Sequence, residues 1–213
     1  MTIYLNSGRP GSGKSLDAAR DIRFTLNRRT PRPVLGNFEL SPTAPVRSRD
    51  YFHYFPNKDL YPQLLMDWAD EFWTSPGAPE FSEDYLLLVL DECQILWNAR
   101  SWMDKGSGTK KDSRMDWLEF FSQHRKWGFK VLLIAQSDKM IDNQFRMLID
   151  YEVRHRKLSK FGLWGYLIGS LFFGRLFLRI VTYYETGERL ESELFLARKK
   201  DFEMYDSYKK FER

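Results

Sequence analysis

The sequence predicts an α/β fold of three layers, in which helices cover both faces of a mainly parallel β-sheet and a β-hairpin lies at the C-terminal end. Strand-like and helix-like stretches alternate along the chain, which is the pattern of this fold class. Residues 85–91 (YLLLVLD) and 130–136 (KVLLIAQ) are unbroken apolar runs, typical of parallel strands that are buried on both faces. Residues 8–15 form a glycine-rich stretch between a predicted strand and a predicted helix.

The remaining elements follow from the local spacing of apolar residues. Residues 14–27 carry apolar side chains at helical spacing, whereas residues 151–158 (YEVRHRKL) alternate like an edge strand. Residues 41–56 are rich in proline and aromatic residues and predict a loop. In chain order the predicted elements are strand 2–6, helix 14–27, strand 33–38, loop 41–56, helix 57–73, strand 85–91, helix 116–127, strand 130–136, helix 142–148, edge strand 151–158, and a hairpin of strands 176–184 and 189–197.

Composition limits the class of protein without giving its activity. With 43% hydrophobic and 16% aromatic residues in 213 positions, the chain can bury the core of one domain, so disorder is excluded. The net charge of +4 permits contact with DNA or with an anionic membrane surface and requires neither. A single cysteine, Cys93, excludes an intramolecular disulfide and suits a reducing, cytoplasmic compartment. The start of the chain, MTIYLN, does not have the pattern of a signal peptide.

Residues 161–181 (FGLWGYLIGSLFFGRLFLRIV) are the only stretch that suggests a membrane. Their uncharged run ends at Arg175, and Arg179 follows one helical turn later, whereas a spanning helix needs about 20 mostly apolar residues. Four glycines also weaken the stretch as a helix. We therefore expect a buried loop and strand, or a segment that lies at a membrane interface.

The glycine-rich stretch GRPGSGKS matches the phosphate-binding pattern G-x-x-x-x-G-K-[ST] in full. Its glycines let the backbone wrap closely around phosphate oxygens, and the following helix directs its positive N-terminus at the same anion. Lys14 is expected to reach the β- and γ-phosphates, and the Ser15 hydroxyl to ligate Mg²⁺. The predicted nucleotide-binding residues are Gly8, Arg9, Pro10, Gly11, Ser12, Gly13, Lys14, Ser15 and Leu16.

A pair of acidic residues follows the most apolar strand. This strand delivers Asp91 to its C-terminal end, where ligands bind in open α/β sheets, so Asp91 is predicted to hold the Mg²⁺ shell. Glu92 is placed to orient and activate the attacking water. Gln136 ends the next buried strand, where a polar side chain can sense the γ-phosphate or position water. The acidic pair indicates a RecA-like (ASCE) P-loop NTPase, with one strand added between the P-loop strand and the acidic strand.

The nucleotide and a second catalytic charge are less directly indicated. Guanine recognition usually needs an N-K-x-D-like element, and the chain has Ser-Asp-Lys-Met at residues 137–140 instead, so ATP is favoured. An oligomeric ATPase needs an arginine from a neighbouring subunit. Arg125 is the first choice for this arginine, and Arg146 and Arg154 are alternatives. We predict a single domain of residues 1–213, with a nucleotide-binding core at 1–160 and a β appendage at 161–213.

Four segments together resemble one family: GRPGSGKS, VLDECQILW at 89–97, QHRKWGFKVLLIAQ at 123–136, and YDSYKKF at 205–211. The combination resembles the N-terminal domain of the zonula occludens toxin family, which is similar to the assembly ATPases of filamentous bacteriophages in the FtsK–HerA branch of P-loop NTPases. The resemblance spans nearly the whole chain. It matches Lys14 and Ser15 to the P-loop, Asp91 and Glu92 to the acidic pair, and Gln136 to the polar end of the next strand.

The resemblance implies a motor domain at the cytoplasmic face of the bacterial inner membrane, which uses ATP to extrude phage particles that contain single-stranded DNA. The family usually continues into a transmembrane helix and a periplasmic tail, whereas this chain stops at Arg213. Either the chain is an excised domain or it meets the membrane differently, through residues 161–173. The toxin-like effect on epithelial junctions belongs with that tail and is not carried over.

Several functions remain open at this point. The leading one is an ATP-driven motor in a ring of identical subunits that acts with phage or secretion-complex proteins. The alternatives are a nucleotide-dependent scaffold with little hydrolysis and a P-loop small-molecule kinase. Contact with single-stranded DNA is a separate possibility, because basic residues and three tryptophans could bind phosphates and stack on bases. These residues are Lys110, Lys111, Arg154, Arg156, Lys157 and Lys160, with Trp102, Trp117 and Trp127.

Overall fold

A computed structural model describes residues 2–97, 113–160 and 172–204 of the protein. Eight strands form one sheet in the order β3-β2-β4-β5-β1-β6-β7-β8. The strands are β1 (Ile3–Ser7), β2 (Val34–Gly36), β3 (Phe52–Tyr54), β4 (Leu86–Leu90), β5 (Phe129–Ala135), β6 (Tyr151–Lys157), β7 (Leu176–Tyr183) and β8 (Arg189–Leu196).

The sheet is parallel from β3 to β6, and β7 and β8 then add to it in antiparallel pairing. The predicted C-terminal hairpin therefore exists, and it extends the central sheet beyond β6. Parallel strands need long crossover connections. Between β2 and β3 the connection is a loop with a 3-10 turn, whereas the other connections between parallel strands contain helices. The predicted boundary after residue 160 stays a prediction.

Helices cover both faces of the sheet and produce the predicted three layers. On one face, α1 (Lys14–Leu26) packs its apolar side against alternate residues of β2, β4 and β5. On the other face, α2 (Pro62–Thr74) and α3 (Arg114–Gln123) pack against the remaining residues of β1, β4 and β5. The short helices α4 (Asn143–Arg146) and α5 (Lys199–Phe202) complete the described part of the chain.

Three predictions about the elements need correction. Residues 151–157 are not an edge strand, because β6 pairs with β1 on one side and with β7 on the other. Its charged residues Arg154 and Arg156 are nevertheless exposed, which explains the edge-like alternation. The loop predicted at residues 41–56 contains β3, a strand of three half-buried residues that is too short to leave a pattern in the sequence. The helix predicted at 57–73 begins at Pro62, where proline fits the first turn.

The apolar stretch at 161–171 lies outside the described residues, as do Lys110, Lys111 and Trp102. Within the described ranges, no helix combines the length and the apolar character needed to cross a bilayer.

Ion pairs attach α1 to the C-terminal part of the fold. Nε of Arg23 donates to Oδ1 of Asp201 in α5 at 2.8 Å, and both side chains are almost completely buried. One turn earlier, Arg20 lies 3.7 Å from Glu193 of β8. Helix α1 is thus held by the sheet core and by β8 and α5, the last two elements of the described chain.

We predict that Asp201→Ala lowers the free energy of unfolding by about 3 kcal/mol, because it leaves the Arg23 guanidinium buried without its carboxylate. Urea denaturation followed by circular dichroism measures this change. The control is Glu203→Ala, which removes the exposed pair with Lys199 and should cost about 0.5 kcal/mol or less. Equal losses in the two variants would contradict a special role for the buried pair.

Candidate nucleotide-binding site

The glycine-rich turn, residues 8–13, connects the C-terminal end of β1 to the N-terminus of α1, and we call it the phosphate turn. Gly8, Gly11 and Gly13 all have positive φ angles, of 147°, 72° and 100°, which glycine adopts without steric cost. The backbone N–H of Ser12 donates to the carbonyl of Arg9 at 3.0 Å and closes the turn. The predicted loop conformation, a tight turn that opens a helix, is therefore present.

Two of these glycines lie against other elements. A Cβ atom on Gly8 would lie 2.8 Å from the carbonyl oxygen of His155 in β6. A Cβ atom on Gly13 would lie 2.5 Å from the ring of Phe177 in β7. Both distances are shorter than van der Waals contact, so these positions require glycine for space as well as for φ.

The turn has the properties of an anion cradle. Lys14 is only 7% exposed although it is a lysine, and it lies in the first turn of α1. The Ser12 hydroxyl is buried and has no hydrogen-bond partner among the described residues. A helix N-terminus, a buried cation and an unpaired buried hydroxyl fit the phosphate groups of a nucleotide.

Asp91 follows β4 directly and is held by its backbone. The side chain of Asn37 accepts a hydrogen bond from the Asp91 N–H at 2.8 Å and donates one to the Asp91 carbonyl at 2.9 Å. Asn37 is buried just after β2, which is the neighbour of β4. The Asp91 carboxylate is buried as well, and its Oδ1 accepts from the N–H of Glu92 at 2.8 Å.

Glu92 has a left-handed backbone conformation, with φ 49° and ψ 41°. Such a conformation is uncommon for a residue with a side chain and costs on the order of 1–3 kcal/mol. The Glu92 carboxylate accepts a hydrogen bond from the side-chain amide of Gln94, which is buried. Glu92 follows the end of β4 by two residues, and its conformation directs the chain into a short 3-10 helix, Cys93–Ile95.

The strand register brings the turn and the acidic pair to the same edge of the sheet. Ser7 pairs with Ala135 of β5, and Leu90 of β4 pairs with Leu133 of the same strand. Asp91 therefore stands across β5 from the end of β1, about two strand spacings or roughly 10 Å away. Val89 packs on the α1 side of the sheet, so strand alternation gives Asp91 the same side as the phosphate turn.

A cleft of about 580 Å³ opens beside the phosphate turn on the β6 side. Its wall includes exposed Gln136 and residues of the turn, namely Gly8, Arg9 and buried Ser12. At the floor, buried Glu152 accepts from the Ser7 hydroxyl at 2.6 Å and from Nε of Arg154 at 2.9 Å. Glu152 thus holds the Arg154 guanidinium close to Ser7, the residue that precedes the turn.

Polar contacts fix the first turn of α1 from behind. Nε2 of His155 donates to Oδ2 of Asp17 at 2.9 Å, and Nε of Arg179 lies 3.4 Å from the same oxygen. Burial acts to raise the pKa of the Asp17 carboxyl, but the hydrogen bond and charge of His155, with the charge of Arg179, outweigh it and lower the pKa. The carboxylate therefore stays ionised and keeps its contacts with both side chains.

The other predicted residues occupy different positions. Arg9, Pro10 and Gly11 form the exposed part of the turn, whereas Leu16 packs against the cluster of Phe177, Phe195 and Ala197. Arg125 is exposed in the turn before β5, at the edge of the sheet opposite to the phosphate turn, so it does not reach the site of its own chain.

Base stacking by Trp117 is contradicted, because this side chain is buried in the core between Trp97 and Phe121. Trp117 lies on the apolar side of α3 with Phe120 and Phe121, so its spacing in the sequence is that of a core residue. Trp127 is partly buried against the same cluster, and its carbonyl accepts from Nε1 of Trp73 at 2.9 Å.

Sequence reasoning did not assign roles to Asn37, Gln94, His155 and Phe177. Gln94 lies two residues after the acidic pair, so its position in D-E-C-Q was a usable signal. The other three reach the site from elements far away in the sequence, and only the sheet order brings them there.

We predict that Gly13→Ala weakens the binding of a non-hydrolysable ATP analogue at least tenfold, because the new methyl group collides with Phe177 and displaces the turn. Isothermal titration calorimetry measures the dissociation constant. Gly11→Ala is the control, since Gly11 also has a positive φ angle, but its added Cβ would meet no atom of the described residues within 4 Å. If Gly11→Ala weakened binding as much as Gly13→Ala, the contact with Phe177 would be irrelevant.

Solved structures with the same fold are P-loop proteins. The N-terminal domain of zonular occludens toxin from Neisseria meningitidis superposes with a TM-score of 0.56 at 18% identity, covering 96% of this chain and 98% of that one. The genome packaging NTPase B204 from Sulfolobus turreted icosahedral virus 2, in complex with ATP-gammaS, gives a TM-score of 0.51 at 12% identity, covering 91% and 96%. These likenesses confirm the predicted P-loop NTPase fold.

Curated relatives are phage proteins. Over 188 residues the chain is 32% identical to the Gene 1 protein of Enterobacteria phage I2-2, covering 83% of this chain and 46% of the relative. The Gene 1 protein of Enterobacteria phage M13 is 28% identical over 176 residues, covering 76% and 44%. The chain thus spans less than half the length of these relatives. The family model described as zonular occludens toxin (Zot) matches residues 2–210, and the chain belongs to this family.

Proposed function

We propose that the chain is an ATP-hydrolysing motor domain that acts in the assembly and secretion of filamentous phage. The observation that carries the proposal is the meeting of two features at one edge of the sheet: the glycine turn with buried Lys14, and the acidic residues Asp91 and Glu92. A phosphate cradle alone would support nucleotide binding. A carboxylate pair across the neighbouring strand adds the groups that hydrolysis needs.

The relatives support the biological part of the proposal. Membership in the zonular occludens toxin family and similarity to the Gene 1 proteins of enterobacterial phages point to phage assembly. A structural neighbour with the same fold is a genome packaging NTPase that was crystallised with ATP-gammaS. The chain covers less than half of the Gene 1 proteins. The proposal therefore concerns the activity of this domain, and the role of the whole protein is an inference from it.

Each residue receives a role from its position. The N–H groups of residues 11–15 and the Lys14 ammonium bind and orient the phosphates of ATP. Ser15 and Asp91 would hold Mg²⁺, which supplies charge neutralisation at the β- and γ-phosphates when bound. Glu92 accepts the proton of the attacking water, and Gln136 orients the γ-phosphate or the water from the end of β5.

A second candidate function is a nucleotide-dependent scaffold that hydrolyses ATP slowly. The bond from Gln94 to the Glu92 carboxylate favours it, because the proposed base is engaged by a neighbouring side chain. In the motor, binding of nucleotide or of a neighbouring subunit releases Glu92 from this bond. In the scaffold, the bond persists and occupancy alone carries the signal.

The proposed setting extends the motor hypothesis. The domain works as a ring of identical subunits at the cytoplasmic face of the host inner membrane, with phage or secretion-complex proteins as partners. Membrane contact is made by a C-terminal continuation of the chain or through residues 161–173. A further proposed partner is single-stranded DNA, whose phosphates would meet Arg154, Arg156 and Lys157 in the cleft beside the phosphate turn.

We predict that Glu92→Gln lowers the kcat for ATP hydrolysis at least about 100-fold with little change in nucleotide affinity, because the carboxylate acts on water and not in binding. Steady-state phosphate release and equilibrium titration measure the two quantities. Lys14→Ala is the contrasting variant, and it should lose nucleotide affinity. A wild-type rate equal to that of Glu92→Gln would favour the scaffold.

We further predict that specific ATPase activity rises with protein concentration, because an arginine from a neighbouring subunit completes the site. Arg125→Ala should remove the rise if Arg125 is that residue. The neighbouring exposed cation gives the control Lys126→Ala, which should retain the rise. A specific activity that is constant from nanomolar to micromolar protein would count against a shared site.

A further inference from the structure

Two exposed surfaces lie at opposite ends of the sheet. Both are apolar in part, and they carry opposite charges. The first, which we call the hairpin corner, consists of Phe173, Arg175, Leu194 and Leu196 at the β8 end. The second, the aromatic groove, consists of Asp50, Tyr51, Trp68, Glu71 and Phe72 at the β3 end.

The hairpin corner is apolar and basic. Phe173 is 87% exposed in the turn that precedes β7. Leu194 and Leu196 are exposed on the face of β8 that points away from α1, since Phe195 between them packs against Phe177. Arg175 is exposed in the same turn, and its N–H donates to the carbonyl of Phe172 while its carbonyl accepts from Ala197. These contacts hold the turn and the end of β8 together.

The aromatic groove is apolar and acidic. Trp68 and Phe72 of α2 stack with ring centroids 5.7 Å apart, and Tyr51 precedes β3 beside them. They line a cavity of about 380 Å³, large enough for an aromatic side chain to enter. Asp50 and Glu71 are exposed at its rim. The sequence of α2 contains two aspartates and a glutamate and has no lysine or arginine.

The two surfaces cannot meet within one molecule. Eight strands separate the β3 end from the β8 end by about 34 Å, at about 4.8 Å between strands. A contact between different surfaces of identical chains is heterologous, and such contacts form rings when the rotation between neighbours closes.

We propose that the hairpin corner of one chain docks into the aromatic groove of a second copy, with Phe173 entering between Tyr51 and Trp68 and Arg175 facing Glu71. The contact deepens the proposed function, because it supplies the subunit interface of the ring. It also adjoins the nucleotide cleft, since Lys157 of that cleft lies next to Gly174 of the corner. The proposed subunit contact and the nucleotide cleft therefore lie at neighbouring positions.

The first experiment measures self-association of the 213-residue chain by sedimentation velocity over a range of concentrations. Phe173→Asp should weaken association about 30-fold or more, as expected for an aromatic anchor in a pocket. Met147→Asp is the matched control, because Met147 is 78% exposed and belongs to neither surface. A wild type that stays monomeric up to about 100 μM, or equal losses in the two variants, would overturn the proposal.

The second experiment is a charge exchange. Arg175→Glu and Glu71→Arg should each weaken association about tenfold, because each places two like charges together. The double variant in one chain should recover most of the wild-type affinity. A variant that merely misfolds would not be rescued in this way, so absence of recovery in a folded double variant would overturn the pairing of these residues.

Cross-linking gives the arrangement directly. The one native thiol, Cys93, is buried, and burial raises its pKa further, so introduced cysteines react selectively. Phe173→Cys with Tyr51→Cys should yield a ladder of cross-linked oligomers on mild oxidation, and Met147→Cys with Tyr51→Cys should yield none. Equal ladders would overturn the proposal. Failure of the wild-type chain to bind ATP would instead count against the proposed function. The failure of the subunit contact and the failure of the proposed function are therefore distinguishable.

Discussion

The contact between Phe177 of β7 and the backbone of Gly13 is the constraint on which the phosphate turn depends. A positive φ angle at Gly13 is available to many loop conformations, and only the packing around it selects one of them. Phe177 closes one side of the turn, and the carbonyl of His155 closes the other at Gly8. The C-terminal hairpin is for this reason a wall of the candidate nucleotide site as well as an extension of the sheet.

Charged contacts define the rotation of α1 as well. The apolar side of the helix packs on the sheet, while Asp17, Arg20 and Arg23 reach toward β6, β7, β8 and α5. Buried ion pairs seldom add much net stability, because desolvation offsets most of their attraction. Their geometry is specific, however, and a helix held on two sides has little freedom to turn. Lys14 and Ser15 in its first turn are positioned accordingly.

Sequence patterns predicted the parts of the fold that short-range rules govern. The strands β1, β4 and β5, the glycine turn, and the positions of Asp91, Glu92 and Gln136 follow from apolar runs and from the residues at their ends. The internal position of β6 could not be predicted, because its exposed arginines Arg154 and Arg156 imitate an edge strand. The parts of the site that depend on Asn37 and Phe177 could not be predicted either. They act across 54 and 164 positions of sequence, and such contacts follow only from the sheet order.

Glu92 shows how strain and function meet at the acidic end of β4. Continued strand geometry would turn the side chain after Asp91 to the face opposite α1, away from the phosphate turn. The left-handed conformation interrupts that alternation, and the hydrogen bonds from the Glu92 N–H to Asp91 and from Gln94 to the Glu92 carboxylate offset its cost. Strain of this kind persists only where surrounding contacts over-determine it. Gln94 donates to one of the two Glu92 carboxylate oxygens, so in the proposed motor this bond lowers the basicity of the carboxylate and competes with its contact to the attacking water.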